Sequence, residues 1–200
     1  MDDTDFSALL CARLCHDLIS PVSAARNGIA MAQDESDPEM RAEAMALTAD
    51  GLTDAVDKLK VYRIAYGMAG PGTTLSEARK ATQGLYARGR VEVDWPDGGT
   101  DLGPEEVRLL VNLVLLGAEA VARGGTVRVV PVGEGFTVEA TGGRTGFAPD
   151  VQAVLDGETS EGLTPRQIQA ALTIRLATRQ GRKVVHEAAE SKVTLTANTA

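Results

Sequence analysis

Only two histidines occur in the 200 residues, and one stands among residues that could use it. His16 lies in the run Leu14-Cys-His-Asp-Leu-Ile-Ser-Pro21. A neutral imidazole is a nucleophile toward phosphorus at neutral pH, because this side-chain type titrates near neutrality. The product is a phosphoramidate, which readily gives its phosphoryl group to a carboxylate. Asp17 follows directly and can accept a hydrogen bond from one ring nitrogen. That bond fixes the tautomer and leaves the other nitrogen to attack. Ser20 comes four residues after His16 and shares its face on a helix, where it could touch a phosphoryl group or a water. Pro21 lacks an N–H and disturbs the turn carrying Asp17, at a cost of about 3 kcal/mol inside a helix. The competing interpretation is a solvent-facing helical histidine with an accidental proline. His186 falls in a predicted strand with no neighbouring base and reads as a sheet histidine.

Other chemistry-bearing residues point to no site. Cys11 and Cys15 are separated by three residues, whereas haem attachment needs two with histidine following. They read as small buried apolar residues, and two cysteines supply neither a disulfide framework nor a four-ligand zinc site. Asp50, Asp54 and Asp57 follow helical spacing, with Lys58, Lys60 and Arg63 just after. This reads as a solvated helix face without a calcium loop.

The elements that must hold His16 are two helices. The first spans about Asp5 to Gln33, with an apolar stripe of Leu10, Leu14, Leu18, Val22, Ala25 and Ile29 at spacings of three or four. Asp37 can cap the second, with Pro38 at its first position, where a missing N–H costs nothing. Its stripe is Met40, Ala44, Leu47, Leu52, Val56, Leu59 and Tyr62, with a phase slip near Gly51. One hairpin cannot cover both stripes. Either a second copy completes a four-helix bundle, or the hairpin packs on the rest of its own chain.

Residues 73–200 alternate differently. Thr74-Leu-Ser-Glu77 forms a capping box opening a helix to about Tyr86. A strand at Val91–Trp95, an apolar helix at Pro104–Ala122 and a hairpin of Thr126–Val132 with Phe136–Thr141 across Gly133-Glu-Gly follow. A short helix near Val151–Leu155, a helix at Pro165–Gln180 and a hairpin of Lys183–Glu187 with Lys192–Thr196 complete the chain. The expected class is α+β: a helical hairpin (1–68) forming a dimeric four-helix bundle, then an α/β sandwich (73–200).

Composition narrows the partners. Basic residues number 20 and acidic 28, a formal charge of −8, which disfavours nucleic acid. No unbroken apolar run approaches the roughly 18–20 residues of a bilayer span, and the acidic start is unlike a signal peptide. A cytoplasmic protein with no membrane partner is expected.

His16, Asp17, Ser20 and Pro21 resemble the H-box of sensor histidine kinases. The hairpin resembles their dimerisation and histidine-phosphotransfer domain. The second half resembles in outline their ATP-binding domain, of the Bergerat or GHKL type. Asn112-Leu-Val-Leu-Leu-Gly-Ala-Glu-Ala120 fits the N-box frame, but the magnesium-binding position falls on Leu116, which cannot coordinate a hard cation. The adenine-contacting aspartate position falls on Ala140, and the next glycine pattern on Arg144. The third box is reduced to Glu161-Gly-Leu-Thr-Pro165.

A kinase-like chain that has lost its nucleotide boxes is similar to the ChpT-type histidine phosphotransferases. The resemblance implies a homodimer whose kinase-like domains are degenerate. It implies a donor, the receiver domain of a hybrid kinase of the CckA type, and acceptors, response regulators of the CtrA and CpdR type. No cofactor is expected on this chain, and magnesium is supplied by the partner receiver during transfer. Receivers of such relays insert a helix between the hairpin helices. By heptad position, Ser23, Ala24, Asn27 and Met31 are expected to face outward on the first helix, with residues around Arg41–Thr48 on the second across from them. Two alternatives remain at this stage: an active kinase with a divergent ATP pocket, and a non-catalytic dimeric adaptor.

Overall fold

The computed structural model describes residues 1–97, 102–132, 135–159 and 161–199. Two long helices come first, α1 (Asp3–Asp34) and α2 (Pro38–Tyr66). Asp2 caps α1, its carboxylate accepting from the Asp5 N–H at 2.8 Å, and Asp37 caps α2 through the Glu39 N–H at 2.8 Å. Pro21 sits inside α1 without ending it.

Small residues make the seam between the helices. Pro21, Ala25 and Gly28 are buried on α1, and Ala44, Thr48, Gly51 and Ala55 on α2. A Cβ on Gly28 would lie 2.5 Å from Thr48 Oγ1 and 2.7 Å from the Ala44 carbonyl oxygen. One on Gly51 would lie 2.7 Å from the Pro21 carbonyl oxygen. Glycine is therefore required at both positions by backbone approach.

This seam corrects the expected stripes. Of the larger apolar residues in them, Val22, Ile29, Met40, Leu47, Leu52, Val56 and Leu59 are exposed on the single chain. The periodicity is real, but it belongs to a face turned away from the hairpin partner. Cys11 and Cys15 are exposed as well, not buried. Spacings of four, seven and seven put them on the outward face with Val22 and Ile29. Ten of the twelve exposed large apolar side chains among the described residues lie on these two helices. An 18-residue window of α1 reaches a mean hydropathy of 1.2, long and apolar enough by composition to cross a membrane, which a count of unbroken apolar runs does not reveal.

The second part holds α3 (Leu75–Tyr86), β1 (Val91–Asp94), α4 (Pro104–Ala120), β2 (Gly125–Val132), β3 (Gly135–Thr141), α5 (Pro149–Leu155), α6 (Ile168–Arg179), β4 (Arg182–Ala189) and β5 (Lys192–Thr199). The strands form one mixed sheet in the order β1-β2-β3-β5-β4. Only β1 and β2 are parallel, and α4 supplies the crossover they need. Every residue of α4 from Leu109 to Ala118 is buried. A helix apolar all round must be enclosed on all sides. Here β2, β3 and β5 cover one side and α2, α3 and α6 the others.

The sequence reading finds each of these elements, with shifted ends. Helix α6 starts at Ile168 because Gln167 serves the preceding turn. Its Oε1 accepts from the Thr164 N–H at 2.9 Å, and its Nε2 donates to the Asp150 carbonyl at 3.1 Å. The expected turn at Gly133-Glu-Gly falls partly on residues 133–134, outside the described residues.

The lower end of the hairpin does pack on its own chain. Phe6, Val61, Ile64 and Ala65 share one apolar core with α4, α6 and the sheet. The Arg175 guanidinium lies 3.9 Å above the Phe6 ring. Asp57 also departs from the solvated-face reading. It is buried, with Lys60 Nζ at 3.0 Å and Arg88 Nη2 at 3.1 Å. Burial pushes its carboxyl up, but these two cations hold it below the usual range.

Candidate functional site

His16 projects from α1 with 85% of its side chain exposed. It stands at a cleft of about 470 Å³ between the hairpin and the α/β domain, lined also by Arg13, Asp17, Glu119, Phe147 and Arg166. His16 Nδ1 lies 3.0 Å from Asp17 Oδ1. Against an ionised carboxylate this contact requires the proton on Nδ1, so Nε2 presents its lone pair outward.

Asp17 is held from three directions. Its Oδ2 accepts from Tyr62 Oη at 2.6 Å and from Arg13 Nε at 2.7 Å. Arg13 then donates through Nη2 to Glu119 Oε1 at 2.7 Å. Arg13 is one turn before Asp17 on α1, Tyr62 comes from α2 and Glu119 from α4. Burial pushes the Asp17 carboxyl up. Hydrogen bonds from Tyr62, His16 and Arg13 outweigh it and hold the group below the usual carboxylate range. Glu119 moves the other way, since burial outweighs Arg13 and raises its carboxyl. Burial works to lower Arg13, yet Glu119 and Asp17 prevail and keep it charged. Burial and Asp17 raise the Tyr62 phenol, which stays a neutral donor.

A second polar chain backs the first. The rings of Tyr62 and Tyr66 stack with centroids 4.9 Å apart. Tyr66 Oη donates to Gln169 Oε1 at 2.8 Å, and Gln169 Nε2 donates to Asn112 Oδ1 at 2.8 Å. Asn112 Nδ2 closes the chain on the Ala65 carbonyl at 3.0 Å.

The structure brings His16 and Asp17 together as expected. Ser20 is exposed one turn further along, with no side-chain hydrogen bond among the described residues. Asn27 and Met31 are exposed, whereas Ser23 and Ala24 are half-buried because they flank the seam residues. Arg41 is exposed, but its Nη2 and Nε donate to the Glu35 carbonyl at 2.6 and 3.1 Å and close the interhelical turn. Sequence reasoning missed Arg13, Tyr62 and Glu119. The spacing of Arg13 and Asp17 was a readable signal. Tyr62 looked like core, and Glu119 lies 106 residues from Arg13 in the chain.

His186 is not without a carboxylate neighbour. Its Nε2 lies 3.3 Å from Asp156 Oδ1 and 2.6 Å from Gln152 Nε2. The pairing was unreadable because Gln152 on α5 and Asp156 at its C-cap reach His186 from across the fold. With 13% of its side chain exposed, His186 fastens α5 to the sheet.

The residues at the nucleotide-box positions do not fit a magnesium nucleotide. Leu116 and Ala140 are wholly buried in the core. The Asn112 amide is consumed by the polar chain described above. In the glycine-rich loop, the Gly142 and Gly146 N–H groups donate to the carbonyls of Ser191 and Ala120.

Comparison with known proteins agrees with the geometry. Residues 75–192 match the family described as histidine phosphotransferase C-terminal domain. The protein phosphotransferase ChpT of Brucella abortus (strain 2308) is 30% identical over 198 residues, covering 94% of this chain and 93% of that one. A solved structure of a bacterial phosphotransferase superposes with a TM-score of 0.84 at 27% identity, over 99% of this chain and 98% of the other. With its fold, its length and its second half all matched by these relatives, the chain belongs to the ChpT-type histidine phosphotransferases of two-component signalling.

Proposed function

We propose that His16 is the phosphoryl acceptor of a multistep phosphorelay, loaded by the receiver domain of a hybrid kinase and unloaded by response regulators. The observation that carries this reading is the Nδ1–Asp17 contact at 3.0 Å on an otherwise exposed imidazole. His16 Nε2 attacks the phosphorus of the receiver's aspartyl phosphate. The N–P bond forms as the acyl O–P bond breaks, and the electron pair leaves on the receiver's carboxylate. The Nδ1 proton stays between His16 and Asp17, whose charge stabilises the imidazolium that develops. Unloading is the reverse step on a second receiver.

In the relay that the ChpT resemblance implies, the donor is of the CckA type and the acceptors are of the CtrA and CpdR type, acting in the cytoplasm. Magnesium belongs to the receiver's acidic pocket. The closed core around Leu116 and Ala140 supports a carrier without ATP chemistry of its own. The exposed apolar row Met45, Leu52, Val56 and Leu59, spaced seven, four and three on α2, supports pairing with a second copy in a four-helix bundle. Asn27 and Met31, exposed above His16, are offered as receiver contacts, with Ser23 and Ala24 at their edge.

Incubation with a phosphorylated receiver domain, with and without ATP, tests the reading. Label should reach His16 in both arms, be acid-labile and alkali-stable, and vanish on chelation of magnesium. Label on a His16→Ala protein would overturn it.

A further inference from the structure

Neighbouring residues on a helix do not face one another, so the His16–Asp17 contact is not a gift of helical geometry. Asp17 must be drawn sideways along α1 to reach its neighbour's ring. Its Oδ2 is pinned by Tyr62 from α2 and by Arg13, which aims Oδ1 at His16 Nδ1. Arg13 is a long side chain that would otherwise sample many rotamers. Its guanidinium is planar, and its second arm rests on Glu119 at 2.7 Å. Glu119 stands on α4, whose preceding ten residues are buried without a break. A helix enclosed in the core of the α/β domain thus anchors a chain of charge-assisted bonds that ends at the His16 ring.

We infer that the α/β domain takes a direct part in phosphoryl transfer: Glu119 positions Arg13, and Arg13 with Tyr62 positions Asp17 to hold His16 in its Nδ1-protonated form. Glu119, Arg13 and Tyr62 are positioning residues, since none touches the imidazole. This assigns work to a domain whose nucleotide boxes are closed, and it rests on His16 being the phosphoryl acceptor.

The test uses the full-length protein and compares Glu119→Ala, Glu119→Gln and Tyr62→Phe with the parent. Two quantities are read: the single-turnover transfer rate from a saturating phosphorylated receiver, and the tautomer of His16 from its ring ¹⁵N shifts. Glu119→Ala should slow transfer about ten- to a hundredfold, the usual consequence of a small misplacement of a reacting group. It should also shift the ring toward the other tautomer, with receiver affinity unchanged. Glu119→Gln keeps an acceptor for Arg13 and should stay within about threefold of the parent, since the guanidinium still donates to an amide oxygen and only the acceptor's charge is lost. Tyr62→Phe removes a single hydroxyl, keeps the stacked ring, and should show the same two changes even if Glu119→Ala folds poorly. Parent-like rates in Glu119→Ala and Tyr62→Phe, or slowed rates with the tautomer unmoved, would overturn the inference. A parent protein that accepts no phosphoryl group would instead sink the acceptor reading. The tautomer comparison would still decide whether Glu119 governs the ring.

Discussion

At the scale of the residue, the proposed transfer depends on charge held in place. Asp17→Asn preserves size and one hydrogen bond but removes the charge facing the imidazolium, so transfer should fall by about a hundredfold. Rapid-quench labelling with unchanged circular dichroism checks this. The two carboxyls of the network also respond to pH with opposite signs. Asp17 is held below its usual value. The stability it contributes is present above pH 3.8, its unperturbed value, and is lost as pH falls through its lower folded value. Glu119 is raised, so its ionisation in the folded state costs stability as pH climbs from 4.5 through its folded value. Thermal scans between pH 3 and 8 should therefore diverge, with Glu119→Gln gaining on the parent as pH rises and Asp17→Asn losing to it. His16 and Asp17 were legible in sequence because they are adjacent. Tyr62 and Glu119 were not, because hydrogen bonds across three helices leave no periodic trace.

At the scale of the element, the hairpin is set by absence of side chains. Gly28 and Gly51 admit backbone atoms within 2.7 Å of where a Cβ would stand. Gly28→Ala gains helix propensity but forces α2 away. Overpacking should win, lowering stability by about 1–3 kcal/mol. Denaturant unfolding followed at 222 nm measures it. The element boundaries were readable where local chemistry fixes them, as at Thr74, whose hydroxyl accepts from the Glu77 N–H. The start of α6 was not, because Gln167 spends its amide on the distant Asp150. The apolar stripes were found with the right period and the wrong partner. Sequence periodicity marks a face, and the small residues that let two helices touch contribute almost nothing to that signal.

At the scale of the whole molecule, one core joins the α/β domain to the lower hairpin, while the upper hairpin leaves its large side chains outside. Leu52 is 53% exposed on the single chain. Leu52→Glu should raise the dimer dissociation constant about a hundredfold or more, since an unpaired charge would be buried between copies. The monomer should keep its fold, because that position is already open to solvent on the single chain. Sedimentation velocity beside circular dichroism separates the two effects. The join at the base has a further consequence. Phe6, Val61, Ile64 and Ala65 share one apolar core with α4, so a swing of the α/β part against the hairpin would have to break that packing. The proposed transfer asks for no such swing, because the phosphoryl group arrives on a receiver domain. In the relay proposed above, whatever reaches Nε2 must travel there itself, and the traffic through it follows the abundance and charging of its visitors.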